Sequence, residues 1–263
     1  MADIFVAIVL GIIEGFTEFL PISSTGHLIL AEHFVKFTGE FANTFTVFIQ
    51  LGAILAVVVY FRKKILPFGK ENAAFSIWKK AAIATVPALI IGALVGKKLE
   101  AFLFTPIVVA SALLVGGIVL ILVERRESSP SILSVSSLPY LTVVLIGLAQ
   151  CLAFIPGVSR SAATIIAGLI MGSSRMAAAE FSFLLAVPTL AAASAYSIIS
   201  SGISFTSEQI IFLGAGFLTT FIVAWISIAA LMKFISTRSF KVFGWYRIVL
   251  ALVVLSFISL LGI

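Results

Sequence analysis

Ten apolar runs, parted by short polar or turn-forming breaks, fill almost the whole sequence. They cover residues 4–20, 28–37, 45–61, 81–96, 106–123, 138–155, 162–171, 181–199, 210–232 and 244–263. A bilayer core needs about 20 apolar residues per helical crossing. Six runs read as such crossings: 45–61, 81–96, 106–123, 181–199, 210–232 and 244–263. Open backbone is not tolerated against lipid, so these runs are helical by default. Charged residues make up 11% of the chain, against about 25% in soluble domains. With 61% hydrophobic residues and a mean hydropathy of +1.24, the chain reads as an all-α integral membrane protein. The single cysteine, Cys151, excludes an internal disulfide and a thiolate metal cluster. The start lacks a basic region and a small-residue cleavage site, so no removable signal peptide is expected.

The remaining runs form two interrupted pairs. Residues 4–20 and 28–37 flank a turn-like stretch at 21–26, and residues 138–155 and 162–171 flank 156–161. Gly11 and Glu14 match Gly147 and Gln150, 136 residues on, and residues 42–48 match 178–184 at the same offset. Leu20-Pro-Ile-Ser-Ser aligns with Ile155-Pro-Gly-Val-Ser after a one-residue slip. The chain therefore reads as one polytopic domain, 1–263, with internal repeats near 1–127 and 138–263. Each repeat is a re-entrant helical hairpin plus three transmembrane helices. A hairpin that enters and leaves on one side reverses the next half, so the repeat is expected to be inverted, with irregular backbone meeting near the midplane. The alternative is that both hairpins span fully, giving ten crossings; residues 28–37 and 162–171 are short for that.

Charge sets the orientation. Under the hairpin topology one side carries Arg62, Lys63, Lys64, Lys70, Lys79, Lys80, Arg125, Arg126, Arg175, Lys233, Arg238 and Lys241. The other carries only Lys36, Lys97 and Lys98. The richer side is cytoplasmic by the positive-inside rule. Both termini and the first hairpin then face outward, and the second hairpin enters from the cytoplasm.

Two polar segments interrupt this apolar text. The first, Glu14-Gly-Phe-Thr-Glu18-Phe-Leu-Pro-Ile-Ser-Ser-Thr-Gly-His27, places Glu14 and Glu18 on one helical face. Ionisable residues at membrane depth cost roughly 2.5–3.5 kcal/mol each and mark functional sites. Two such carboxylates can share a divalent cation or a proton; bonding to backbone inside the bundle is the alternative. Ser23, Ser24 and Thr25 lie beside His27, and a hydroxyl next to an imidazole is a nucleophile–base pairing. A kink at Gly26 is expected to free N–H groups for an anion. Asp3 reads as a solvated residue near the membrane end. The second segment, Pro156-Gly-Val-Ser-Arg160-Ser-Ala-Ala-Thr164, sets one arginine among hydroxyls at a helix start. That is an anion cradle, in which a guanidinium fork and free N–H groups match phosphate oxygens; an arginine snorkelling to headgroups is the alternative. Gln50, inside the 45–61 run, is a further candidate, with a helix–helix hydrogen bond as its other reading.

Glu-x-x-x-Glu followed by Pro-x-Ser-Ser-Thr-Gly-His, with a later Pro-Gly-x-Ser-Arg-Ser-x-x-Thr, resembles the undecaprenyl-diphosphatase family, the bacitracin-resistance proteins. The likeness runs over essentially the whole chain. It implies a cell-membrane enzyme that converts undecaprenyl diphosphate to the monophosphate at the outer face, recycling the cell-wall lipid carrier. It also implies a divalent cation, Mg²⁺ or Ca²⁺, held by Glu14 and Glu18. By the same resemblance Ser24 is the candidate nucleophile, with His27 as its base or as nucleophile itself. Arg160 would hold the diphosphate, assisted by Ser23, Thr25, Gly26, Ser159, Ser161 and Thr164. Attack by metal-bound water is the other mechanism. A polyprenyl-lipid transporter or flippase is the alternative function, since discontinuous helices at the midplane also mark transporters. A proton-coupled channel would leave Arg160 without a role. The partners expected are the polyprenyl diphosphate and membrane lipids, with no nucleic acid. Glycines 92, 96, 116, 117, 214 and 216 permit close helix contact within a monomer or across a homodimer.

Overall fold

The computed structural model describes residues 4–66, 71–125, 129–201 and 205–261, with side chains excepted at 30, 32, 33, 71–73, 97, 98, 100, 101, 201 and 257–261. Asp3, Lys70 and Arg126, and the side chains of Lys97 and Lys98, therefore lie outside the described residues.

The first half contains α1 (Ile4–Thr17), α2 (Ser24–Val35), α3 (Glu40–Tyr60), the short α4 (Arg62–Ile65), α5 (Glu71–Leu103) and α6 (Pro106–Val123). The second contains α7 (Tyr140–Gln150), α8 (Arg160–Ile170), α9 (Arg175–Ser201), α10 (Ser207–Ile235) and α11 (Lys241–Leu261). Among the described residues the only strand-like pairing is a single bridge between Ile132 and Ser173. Among the described residues five helices are long and apolar enough to cross a membrane: Glu40–Tyr60, Ala74–Gly96, Pro106–Val123, Arg175–Ser200 and Ser207–Ile235. The sixth expected crossing, 244–263, is helical as α11 through Leu261. By contrast α1, α2, α7 and α8 have 14, 12, 11 and 11 residues. At 1.5 Å per residue these reach only about 16–21 Å, well short of a hydrocarbon core of about 30 Å.

Helix α5 departs from expectation. Residues 62–80 read as a basic loop and 96–100 as a polar break, yet one helix of 33 residues runs through Lys79, Lys80 and Gly96 to Leu103. Lysine, glutamate and leucine are good helix formers, so charge at a membrane boundary need not end a helix. Lys80 is buried because its ammonium turns back to donate to the carbonyls of Val135 and Ser136.

The halves interlock. Helix α1 packs on α10 and α7 on α5, while α3 meets α9 and α6 meets α11. Small residues allow the close approaches. A Cβ on Gly15 would fall 2.8 Å from the Thr220 carbonyl, and one on Gly147 would collide with the Ala84 backbone. The outer surface is apolar, with Phe5, Phe75, Leu94, Phe102, Leu141 and Ile199 all strongly exposed. The buried interior holds Phe19, Phe61, Phe181 and Phe183, and also the polar residues Glu14, Glu18, Ser24, Ser161 and Thr164. That is the inverse of a soluble surface and suits a lipid solvent.

Candidate active site

Both breaks between short helices are built alike. Helix α1 ends at Thr17, the chain turns through Pro21, and Ser23 adopts φ 74 before α2 begins at Ser24. In the second break Gly157 has φ 91 and Ser159 φ 70 before α8 begins at Arg160. A left-handed conformation on a non-glycine residue costs about 1–3 kcal/mol and persists only where its surroundings fix it. Here the serine hydroxyls cap the helices: Gly26 N–H donates to Ser23 Oγ at 3.3 Å, and Ala162 N–H to Ser159 Oγ at 3.2 Å. The expected kink at Gly26 is thus absent. Gly26 lies inside the first turn of α2, and Ser23 makes the sharp turn instead.

The side chains of the two breaks meet. Glu18 is buried and accepts from Ser24 Oγ at 2.5 Å through Oε2 and from Arg160 Nη2 at 2.8 Å through Oε1. Arg160 Nη1 donates to the Ser182 carbonyl at 2.8 Å, and its guanidinium lies 5.8 Å over the Phe19 ring. Its Nε is buried with no hydrogen-bond partner among the described residues. Ser161 Oγ reaches across to the Leu20 carbonyl at 2.9 Å and pairs with Ser159 Oγ at 3.0 Å. Thr164 Oγ1 bonds Ser182 Oγ at 2.7 Å and the carbonyls of Arg160 and Ser161, so it braces α8 against α9. Thr25 is half-buried at the start of α2. Glu14 is fully buried one turn before Glu18, whose N–H donates to the Glu14 carbonyl.

The expected Ser24–His27 pairing is not made. The His27 ring instead lies 2.7 Å from the Ser23 carbonyl through Nδ1 and 2.7 Å from the Tyr246 hydroxyl through Nε2. A carbonyl only accepts, so Nδ1 carries a proton, and in the neutral ring Nε2 accepts from Tyr246. Ser24, at the first position of α2, turns back toward Glu18. Gln50 is half-buried in α3, and among the described residues its side chain makes no hydrogen bond.

A divalent cation fits the donor chemistry of Glu14 and Glu18. Mg²⁺ is commonly held by one or two carboxylates with substrate phosphate oxygens completing the shell. Among the described residues no cluster of three or more acidic, histidine or cysteine ligands forms an all-protein cage.

Comparison with known proteins bears directly on this arrangement. The family model for bacitracin resistance protein BacA matches residues 7–253. The chain belongs to the BacA family. Undecaprenyl-diphosphatase 1 of Clostridioides difficile (strain 630) is 44% identical over 269 residues, covering 99% of this chain and 98% of that protein. The undecaprenyl-diphosphatase of Limosilactobacillus fermentum (strain NBRC 3956 / LMG 18251) is 42% identical over the full length of both chains. That of Enterococcus faecalis is 45% identical over 96% of each.

Three residues of this BacA-family site escaped the sequence reading. Tyr246 holds His27, and Ser182 receives both Arg160 and Thr164. Arg247 is the largest fully buried side chain among the described residues. Its guanidinium donates to the carbonyls of Ala112 and Leu113 on α6, Pro21 in the first break, and Gly157 and Val158 in the second. One side chain on α11 therefore clamps both breaks. A Cβ on Gly116 would strike this guanidinium, so the glycine makes room for it. A lone arginine in an apolar run, at the membrane-depth cost already noted, was the available signal.

Proposed function

We propose that the chain is an undecaprenyl-diphosphatase of the cell membrane, releasing inorganic phosphate and undecaprenyl phosphate at the outer face. One observation carries the reading: the Glu18 carboxylate binds the Ser24 hydroxyl and the Arg160 guanidinium together, across 142 residues of sequence. A transporter has no need of a hydroxyl held against a base, and the relatives' names favour hydrolysis.

In the mechanism the terminal phosphate sits where α2 and α8 begin. Both helix starts offer N–H groups and positive dipole ends to an anion. Arg160, with its unused Nε–H, holds the equatorial phosphoryl oxygens, as charge spread in phosphoryl transfer requires. Glu18 takes the Ser24 proton as Oγ attacks the terminal phosphorus. The Oγ–P bond forms, the bridging P–O bond breaks, and undecaprenyl phosphate leaves. Glu18 passes that proton to the departing undecaprenyl phosphate; water then cleaves the phosphoserine, with Glu18 accepting a proton from the water and returning one to Ser24 Oγ, and inorganic phosphate departs. Glu14 and Glu18 would hold the divalent cation, which supplies charge neutralisation for the diphosphate. His27, fixed by Ser23 and Tyr246, positions the start of α2 and remains the other candidate nucleophile.

The architecture we infer is an inverted repeat with two re-entrant hairpins. Its support is that α1 and α7, α2 and α8, and α5 and α10 each start 136 residues apart, as do the strained caps Ser23 and Ser159. Each half also lends a long helix to the other half's short first helix. The charge distribution supports a cytoplasmic basic end: Lys64 pairs with Glu180 and Arg175 with Glu124, all near helix ends. Right-side-out vesicles carrying the protein are expected to release phosphate from a C55 lipid diphosphate in the outer leaflet. Release confined to inside-out vesicles would reverse the orientation, and no release from either would defeat the function.

A further inference from the structure

We infer that a second ligand site lies at the basic end of the bundle and takes a diphosphatidyl lipid of the cardiolipin class. A cavity of about 500 Å³ opens between the end of α3, the start of α9 and the end of α10. This size suits a lipid headgroup with the first part of its chains, since ligand cavities span about 300–1,000 Å³. Its floor is apolar, made by Phe61, Met176 and Met232, and its rim carries Lys63, Lys64 and Lys233. Lys64 is committed to Glu180, with its ammonium 2.8 and 2.7 Å from the two carboxylate oxygens. Lys63 and Lys233 are exposed and make no ion pair among the described residues. Three lysines against one glutamate leave two positive charges over an apolar floor.

That surplus matches the two phosphodiester charges of a cardiolipin headgroup, and the floor accommodates the acyl chains beneath it. Basic pockets between transmembrane helices at the cytoplasmic side are the setting in which such headgroups bind. Lys63 and Lys64 lie on α4, directly after the end of α3, and Lys233 in the last turn of α10, which places the rim at headgroup depth. The residues of this cavity are separate from Glu18, Ser24 and Arg160.

The test counts bound lipid by native mass spectrometry while protein in neutral detergent is titrated with tetraoleoyl cardiolipin. One cardiolipin is expected to bind, and phosphatidylcholine should not replace it. Lys63→Gln/Lys233→Gln is expected to weaken binding by about thirtyfold, and Lys233→Gln alone by about fivefold. Arg125→Gln/Arg238→Gln removes the same charge at the same end outside the cavity and should bind as the unaltered protein does. Unaltered binding by both pocket variants would overturn the assignment, as would equal weakening by the control pair. Displacement of the lipid by equimolar inorganic pyrophosphate would show that the site takes free diphosphate, and would overturn it too.

Discussion

Replacing Arg247 with methionine is expected to lower the thermal unfolding midpoint by about 10 °C and to abolish activity. Methionine fills similar volume and suits an apolar run, so its helix should persist. What fails is the junction of the two breaks. The carbonyls of Pro21, Gly157 and Val158 lose the donor that Arg247 provides, in a region with little water. A buried polar group left unsatisfied costs about 1–3 kcal/mol. Removing one partner of a buried charged network costs about 3–5 kcal/mol. For a chain of this size each kcal/mol moves the midpoint by about 2–4 °C. Arg247→Lys should fall between, because a compact ammonium cannot serve five carbonyls at once. Scanning fluorimetry in detergent reads this directly, and a midpoint within two degrees of the parent would show that Arg247 does not hold the breaks together.

The second large effect is catalytic. Glu18→Gln is expected to lower kcat/KM at least about a thousandfold while the midpoint moves by only a few degrees. The amide keeps the shape: its oxygen can accept from Arg160 while its NH2 donates to Ser24 Oγ. It cannot take the Ser24 proton, and general-base assistance is worth about 10²–10⁴ in rate. Glu18→Ala should do worse on both counts, since it leaves the Arg160 guanidinium buried beside Phe19 without its carboxylate. Arg160 would then keep only the Ser182 carbonyl. A Gln variant that retains a tenth of the parent's rate would remove Glu18 as the base.

Much of this was legible in the sequence because the solvent is lipid. Apolar runs announce the helices, and Glu14, Glu18 and Arg160 stand out as charges where charge is expensive. The breaks were visible through Pro21, Pro156 and Gly157. The partners across the breaks were not. Ser24 and His27 are three apart, a spacing that shares a helical face. The structure sends Ser24 back to a residue in the preceding turn and His27 out to α11. Such choices depend on where α11 docks, and local spacing carries no record of that. Arg247 was hidden for the same reason: its acceptors lie 89 to 226 residues away for the breaks alone. The extent of α5 was hidden differently, because lysines that suggest a loop also favour a helix.

Ser24→Ala offers the most direct test, since the account makes its hydroxyl the attacking group of a site shared by both breaks. In a single-turnover assay with a C55 lipid diphosphate, the unaltered protein should release phosphate and Ser24→Ala should release about a thousandfold less, with an unchanged unfolding midpoint. Phosphate release by Ser24→Ala at the parent rate would contradict the account.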